Sequence, residues 1–311
     1  MKLLPLYPLV ATSLILSACA GGGGGGGSST AAVTTSPFTS WSAIRPNTNF
    51  QFNDAASTQF TYTANPTTGI VSSITNNGIS GSGGYVSLTY GGSSDLTAIA
   101  ITSRQGQNLF VSAYAGDTIS TIAVGPVTSI VYGINKERTT EVVGINGPSF
   151  GWDYQTYGVW VTGEGTGSGT AGAVSAGNVT AVTGIPATGT AVFSGNALGV
   201  FGIVGAPAYL TAAAMSANTN FGSRTIAFAT SGTVASSFNG GGAFSAPGLN
   251  MSGNLTYGAG VNQFSGAVTA SNGMSGSAVG KFYGPNANEI GGTYNLSGGG
   301  AFMGGGFGGK R

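Results

Sequence analysis

The chain has 311 residues, 58 of them Gly and 11 Pro, and its 9 basic and 8 acidic side chains make it only 5% charged, against roughly 25% for an ordinary globular domain. A net charge of +1 excludes electrostatic capture of nucleic acid, which needs a basic surface to displace counterions. With no His and a single Cys, zinc sites, Ser-His-Asp triads and Cys-His dyads cannot be assembled. Disorder is opposed by 16 Phe, 12 Tyr and 3 Trp within a 41% hydrophobic composition, which is ample for a packed core.

At the amino terminus Lys2 precedes an apolar stretch, Leu3 to Leu16, interrupted by Pro5 and Pro8. It is too short and too broken to cross a membrane as a helix, and the small residues after it complete the pattern of a secretory signal. Leu16-Ser17-Ala18-Cys19 resembles the lipobox of bacterial lipoproteins, in which cleavage before the Cys leaves that residue acylated. An ordinary cleavage site with an incidental Cys is the alternative. Two details oppose it: Cys19 is the sole Cys, and Gly21 to Gly27 follow it, a run with no side chains to pack that serves as a flexible tether. Several acyl chains on one residue exceed the single chain that gives only marginal membrane attachment. Ala20, where Asp marks inner-membrane retention in such lipoproteins, implies the outer membrane. Residues 1–18 are therefore expected to be a lipoprotein signal peptide, and 19–35 the lipidated Cys with its Gly/Ser tether.

From Ser36 onward the periodicity is that of strands. Phe60 and Tyr62 alternate with Thr61 and Thr63, and Leu109 and Val111 follow the same rule. Lys136-Glu137-Arg138, with Glu141 nearby, is the one charge cluster and reads as an exposed loop. The run Phe150 to Tyr157, containing Trp152 and Tyr154, is either core packing or an aromatic recognition patch. Lys136, Glu137, Arg138, Trp152 and Tyr154 are accordingly the candidate ligand contacts.

The second half alternates more cleanly. Met251, Gly253, Leu255 and Tyr257 interleave with Asn250, Ser252, Asn254 and Thr256; Ile290, Gly292, Tyr294 and Leu296 interleave with Glu289, Gly291, Thr293 and Asn295. Gly284 to Asn288, with Pro285, forms a hairpin loop. Setting Tyr283 opposite Glu289 places Ala278, Gly280, Phe282, Ile290 and Tyr294 on one face. Lys281, Tyr283 and Glu289 then share the other, which reads as the exposed one. A slip of one residue would mix the faces, so the pattern specifies its register. Eight or nine such runs after Gly189 suffice to close a small barrel, which removes the edges that a chain with few charges cannot otherwise protect. The fold expected is all-β: a smaller β-rich domain over 36–150, then a closed antiparallel eight-stranded β-barrel over 151–311.

Apparent chemical motifs are products of composition. At this Gly frequency GxGxxG arises by chance, and no copy opens a helix after a strand. Gly276 to Lys281 and Gly304 to Lys310 approach a phosphate loop, but Phe282 and Arg311 stand where Ser or Thr must hold magnesium. Paired-carboxylate chemistry needs acids about 5–10 Å apart. Asp153 and Glu164 lie an odd number of residues apart, hence on opposite faces of an unbroken strand. Tyr-ligated haem is chemically available, but the twelve Tyr read as packing residues. No enzyme activity, cofactor or metal is expected.

The tail SGSAVGKFYGPNANEIGGTYNL, followed by GGAFMGGGFGGKR, resembles the carboxy-terminal hairpin of the transferrin-binding protein B family, a "G-x-FYGP-x-A-x-E-x-GG" element. The matching positions are Phe282, Tyr283, Gly284, Pro285, Ala287, Glu289, Gly291 and Gly292, with Lys310 and Arg311 closing the chain. Tyr157 to Trp160 and Ile185 to Ala191 resemble that family's lead-in to its barrel. The resemblance covers roughly 150–311 and implies a monomeric, surface-exposed outer-membrane lipoprotein that binds an external protein or a haem or iron carrier. Family members that bind host iron proteins are larger, with two lobes and charged loops. A structural envelope lipoprotein without a soluble ligand and an integral outer-membrane barrel are the alternatives. The low charge predicts recognition by shape and backbone contacts, with weak salt dependence.

Overall fold

A computed structural model describes residues 32–124, 127–145, 147–237 and 242–311. The signal segment, Cys19 and the Gly run lie outside the described residues. Ten strands form the first sheet: β1 (Thr34–Pro37), β2 (Thr48–Ala64), β3 (Val71–Tyr90), β4 (Leu96–Thr102), β5 (Asn108–Ser112), β6 (Thr118–Val124), β7 (Val127–Ile134), β8 (Thr140–Ile145), β9 (Gln155–Thr162) and β10 (Ser168–Gly177). Their order is β5-β4-β3-β2-β10-β9-β8-β7-β6, with β1 parallel to the start of β2 and all other pairs antiparallel. The sheet curls over its own concave face, and Val111 of β5 packs across the hollow onto Gly133 of β7.

The second sheet comprises β11 (Thr190–Ile203), β12 (Tyr209–Asn220), β13 (Thr225–Ser237), β14 (Phe244–Ser245), β15 (Met251–Tyr257), β16 (Phe264–Ala270), β17 (Ser275–Tyr283), β18 (Glu289–Gly298) and β19 (Ala301–Lys310). Pairing of β12 with β13 and of β11 with β19 closes eight strands into an antiparallel barrel, leaving the short β14 beside β13. The eight-stranded barrel read from the alternation is thus present.

The pattern inside the barrel is apolar and outside polar. On β15 Met251, Leu255 and Tyr257 are buried while Ser252, Asn254 and Thr256 are exposed; on β16 Phe264 and Val268 are buried while Ser265 and Thr269 are exposed. A membrane-spanning barrel needs the reverse, an apolar exterior around a polar lumen, so the integral-membrane alternative falls. Phe282 sits at the centre of the interior, its ring 5.3 Å from Tyr257, 5.5 Å from Phe264, 5.9 Å from Phe221 and 6.0 Å from Phe193.

The hairpin register matches the one derived from alternation: Tyr283 faces Glu289, Phe282 faces Ile290 and Gly280 faces Gly292. Two expectations are corrected. Lys281, Tyr283 and Glu289 are not exposed, because the first sheet lies across that outer face and leaves them 7%, 1% and 2% accessible. The first body also extends past residue 150. β9 and β10 pair with β8 and β2, so the change of sheet falls between Gly177 and Thr190, and Tyr157 to Trp160 belong to the first sheet. Runs of strand-forming residues show that a strand exists but not which sheet recruits it.

Glycines on β19 make the close approach of the two sheets feasible. Phe60 lies over Gly304. A Cβ at Gly306 would sit 2.6 Å from Cδ2 of Tyr157, and one at Gly308 2.7 Å from Oε1 of Gln155. The Gly-rich tail is therefore a bed for side chains of β2 and β9. Gly306→Val should drive a branched side chain into the buried Tyr157 ring and destabilise the chain by about 1–3 kcal/mol. The exposed position Ser252 on β15, away from this seam, changed to Ala, should stay within about 0.5 kcal/mol. Urea melts of the two variants check this, and equal midpoints would refute the seam as described.

Candidate functional site

Two polar arrangements could serve function. The first is the seam between the sheets. Glu289 receives the backbone N–H groups of Asp153 and Tyr154, the latter at 3.0 Å. Burial pushes its carboxyl up to about 7, against the lowering effect of those donors, and the charge of Asp153 adds to the rise. Lys281 Nζ donates to Asp54 Oδ2 at 2.7 Å and to the Asp54 carbonyl at 2.9 Å. Burial alone would raise the Asp54 carboxyl, but Lys281 and the Gly83 N–H outweigh it and hold it below the usual range. Gln155 Nε2 donates to Ile290 O at 2.7 Å and to Gly309 O at 3.1 Å. Asn76 and Asn295 exchange a reciprocal pair of amide hydrogen bonds, each 2.8 Å.

These contacts give the hairpin residues packing roles. Gly284, at φ +83°, lies under the Tyr154 ring, and any Cβ there would enter that ring. Trp152 is 2% exposed, with its ring centroid 6.1 Å from Tyr157 and 5.5 Å from Phe150. Trp152 is thus packed in the interior, while Tyr154 is half-buried.

The second arrangement is a cleft of about 820 Å³, walled by the loop Asn65–Gly69, the turn carrying Glu137 and Arg138, the loop Gly163–Gly167, and Pro207, Ala208 and Ser237. The charge cluster becomes the tip of the β7–β8 hairpin. Asn135 Oδ1 accepts the N–H groups of Thr139 and Thr140, both at 2.8 Å, and Arg138 takes φ +57°. Lys136 and Glu137 form a surface ion pair at 3.7 Å, of the exposed kind that contributes little.

Behind that tip Glu141 is buried, accepts the Tyr132 hydroxyl at 2.7 Å, and hydrogen-bonds the Glu164 carboxyl. Burial, then the charge and hydrogen bond of Glu141, push Glu164 up to about 7, with Arg138 acting in the opposite sense. Burial likewise raises Glu141 despite Tyr132, Glu164 and Arg138. Two carboxyls this close leave no room for the intervening sugar ring and water that glycosidic acids straddle.

Sequence reasoning weighed Asp153 with Glu164 and missed Glu141 with Glu164. The β8–β9 register, with Glu141 opposite Val161 and Thr140 opposite Thr162, is what brings the latter two together. Trp152 and Tyr154 are not part of this cleft, so the five candidate contacts do not form one surface. Among the described residues no group of three or more metal-ligating side chains occurs.

Residues 185–311 match the family described as C-lobe and N-lobe beta barrels of Tf-binding protein B. The match starts just before β11 and takes in every strand of the closed sheet, so the similarity is to the barrel portion of that family. No curated protein matches the sequence.

Similar solved structures include a mutant of the vaccine antigen Transferrin Binding Protein B from Haemophilus parasuis Hp5. It is 14% identical, covering 73% of this chain and 51% of that one, with a TM-score of 0.42. Isotype 1 Transferrin binding protein B from serogroup B Neisseria meningitidis is 11% identical over 86% of this chain and 77% of its own, with a TM-score of 0.36. The N-lobe domain of Lactoferrin Binding Protein B of Moraxella bovis is 10% identical over 83% and 99%, with a TM-score of 0.38. The present chain spans about half the length of the Haemophilus parasuis structure.

Proposed function

We propose that this chain is a monomeric outer-membrane lipoprotein, anchored through acylated Cys19 and displayed on the cell surface, where it acts as a non-catalytic binding module for an external protein or a haem or iron carrier. The observation that carries the reading is the match of residues 185–311 to transferrin-binding protein B barrels, joined to the lipobox-like Leu16-Ser17-Ala18-Cys19. The surface assigned to the partner is the rim of the polar cleft, where Glu137, paired with Lys136, and Arg138 stand beside the loops Asn65–Gly69 and Gly163–Gly167. With so few charges, contact there rests on shape and backbone groups, and its salt dependence is shallow.

Protease shaving of intact cells, followed with an antibody to the barrel, tests display. Signal loss before lysis is the expected result; protection until lysis refutes it. Cys19→Ala should release the protein from the membrane fraction. Pull-down from host serum with the purified chain tests the partner, and Arg138→Glu should weaken the captured complex by about 1–2 kcal/mol. Capture unaffected by Arg138→Glu moves the contact away from the cleft, and no capture in either form favours an envelope role.

A further inference from the structure

We propose that the first sheet contains a separate small-molecule site: the cavity on its concave face takes an elongated apolar molecule whose head group is neutral or cationic. The cavity measures about 580 Å³, within the roughly 300–1,000 Å³ of small-molecule pockets and far above the voids that packed interiors leave. Trp41, Val86, Ile99, Val142 and Ala176 contribute carbon to its walls, each of them buried.

Two buried polar side chains of the wall are committed elsewhere. Trp41 Nε1 donates to Gln155 O at 2.9 Å, and Thr156 Oγ1 to Ile145 O at 2.9 Å. The Tyr90 hydroxyl makes no hydrogen bond among the described residues and offers a donor and an acceptor to a head group. The deep wall thus rewards an aliphatic or ring body with little polar demand.

Charge at the mouth selects the head. Asp95 is the one ionisable carboxylate among the lining residues, and it is exposed at the rim beside Ser94. Arg45, which follows the lining residue Ile44 but does not itself line the cavity, donates to the carbonyls of Ser42 and Ile44 at 3.0 and 2.8 Å. No Lys or Arg is among the lining residues, so a carboxylate or sulfonate entering here would meet the like charge of Asp95, whereas a hydroxyl, amide or ammonium head would not be repelled. The occupant is therefore an alcohol, amide or amine of a long apolar chain rather than a fatty-acid anion. This site is independent of the surface partner proposed above, because Glu137 and Arg138 line the other cleft.

The full chain titrated with N-phenyl-1-naphthylamine, a neutral probe, should show one saturable site by fluorescence. Hexadecylamine and hexadecanol should displace the probe, and hexadecanoate should do so at least about tenfold less well. Ala176→Phe fills the cavity and should weaken the probe by about tenfold or more. Asp95→Lys, at an exposed position, should narrow or reverse the preference for amine over carboxylate. Failure of the folded wild-type chain to bind the neutral probe saturably overturns the proposal, as does unchanged binding in folded Ala176→Phe. If Ala176→Phe does not fold, Asp95→Lys decides: an unaltered amine-to-carboxylate ratio overturns the assignment.

Discussion

Phe282→Ala should lower the unfolding free energy by about 3–5 kcal/mol, the range for removing a fully buried Phe and leaving the void. The ring is 0% exposed and contacts four other aromatic side chains in the barrel interior. The backbone at the same residue is also fixed: its N–H donates to Asn262 Oδ1 at 2.7 Å and its carbonyl accepts Asn262 Nδ2 at 3.0 Å. A rigid backbone cannot collapse into the space left by the side chain, which places the cost toward the upper end of that range. Against a total stability of about 5–15 kcal/mol, such a loss should reduce Tm by roughly 6–20 °C. Calorimetry on the purified variant measures it. A drop indistinguishable from that of the exposed control Ser252→Ala would mean that Phe282 is not the centre of the barrel core.

The second large effect is on pH dependence. Glu289 has its carboxyl raised from 4.5 to about 7, burial being the main cause. A carboxyl that is more basic folded than unfolded binds protons preferentially in the native state. Its contribution is fully present below about pH 4.5 and is lost as pH rises through about 7. For Glu289 that loss is on the order of 3 kcal/mol. Glu164, also raised to about 7, acts in the same direction, whereas Asp54, held below its ordinary value, withdraws stability only on acidification below the usual carboxylate range. Denaturant melts between pH 5 and pH 8 should show stability falling toward the alkaline end, and Glu289→Gln should flatten that slope. A wild-type curve that rises across this window, or one that Glu289→Gln leaves untouched, contradicts the buried environment assigned to the seam.

The two results address the same hairpin from its two faces, and those faces differ in how far a reader of the chain can see them. Alternation of Ala278, Gly280 and Phe282 with Ser277, Val279 and Lys281 has a period of two, and the pairing of Phe282 with Ile290 follows from matching apolar faces across a short Gly-Pro loop. That information is local, which is why the register, the barrel interior and the strand-rich character of the whole chain were all legible. The family resemblance of the tail rests on the same local residues.

What lies against the outer face is another matter. Lys281, Tyr283 and Glu289 carry the polar pattern of a solvated surface, yet Lys281 meets Asp54, 227 positions away, and Glu289 meets Asp153, 136 positions away. Periodicity records which way a side chain points and holds no trace of a second sheet arriving from elsewhere in the chain. The glycines of β19 show the same limit. Their abundance is plain in the sequence, but the shapes of Phe60, Tyr157 and Gln155 that require it become visible only when β2 and β9 lie across them. Glu141 and Glu164 likewise meet because the β8–β9 register delivers them to one cleft. Strand identity and facing are written in nearest neighbours; the packing of one sheet on another depends on contacts between distant segments, which close only when the whole chain has folded.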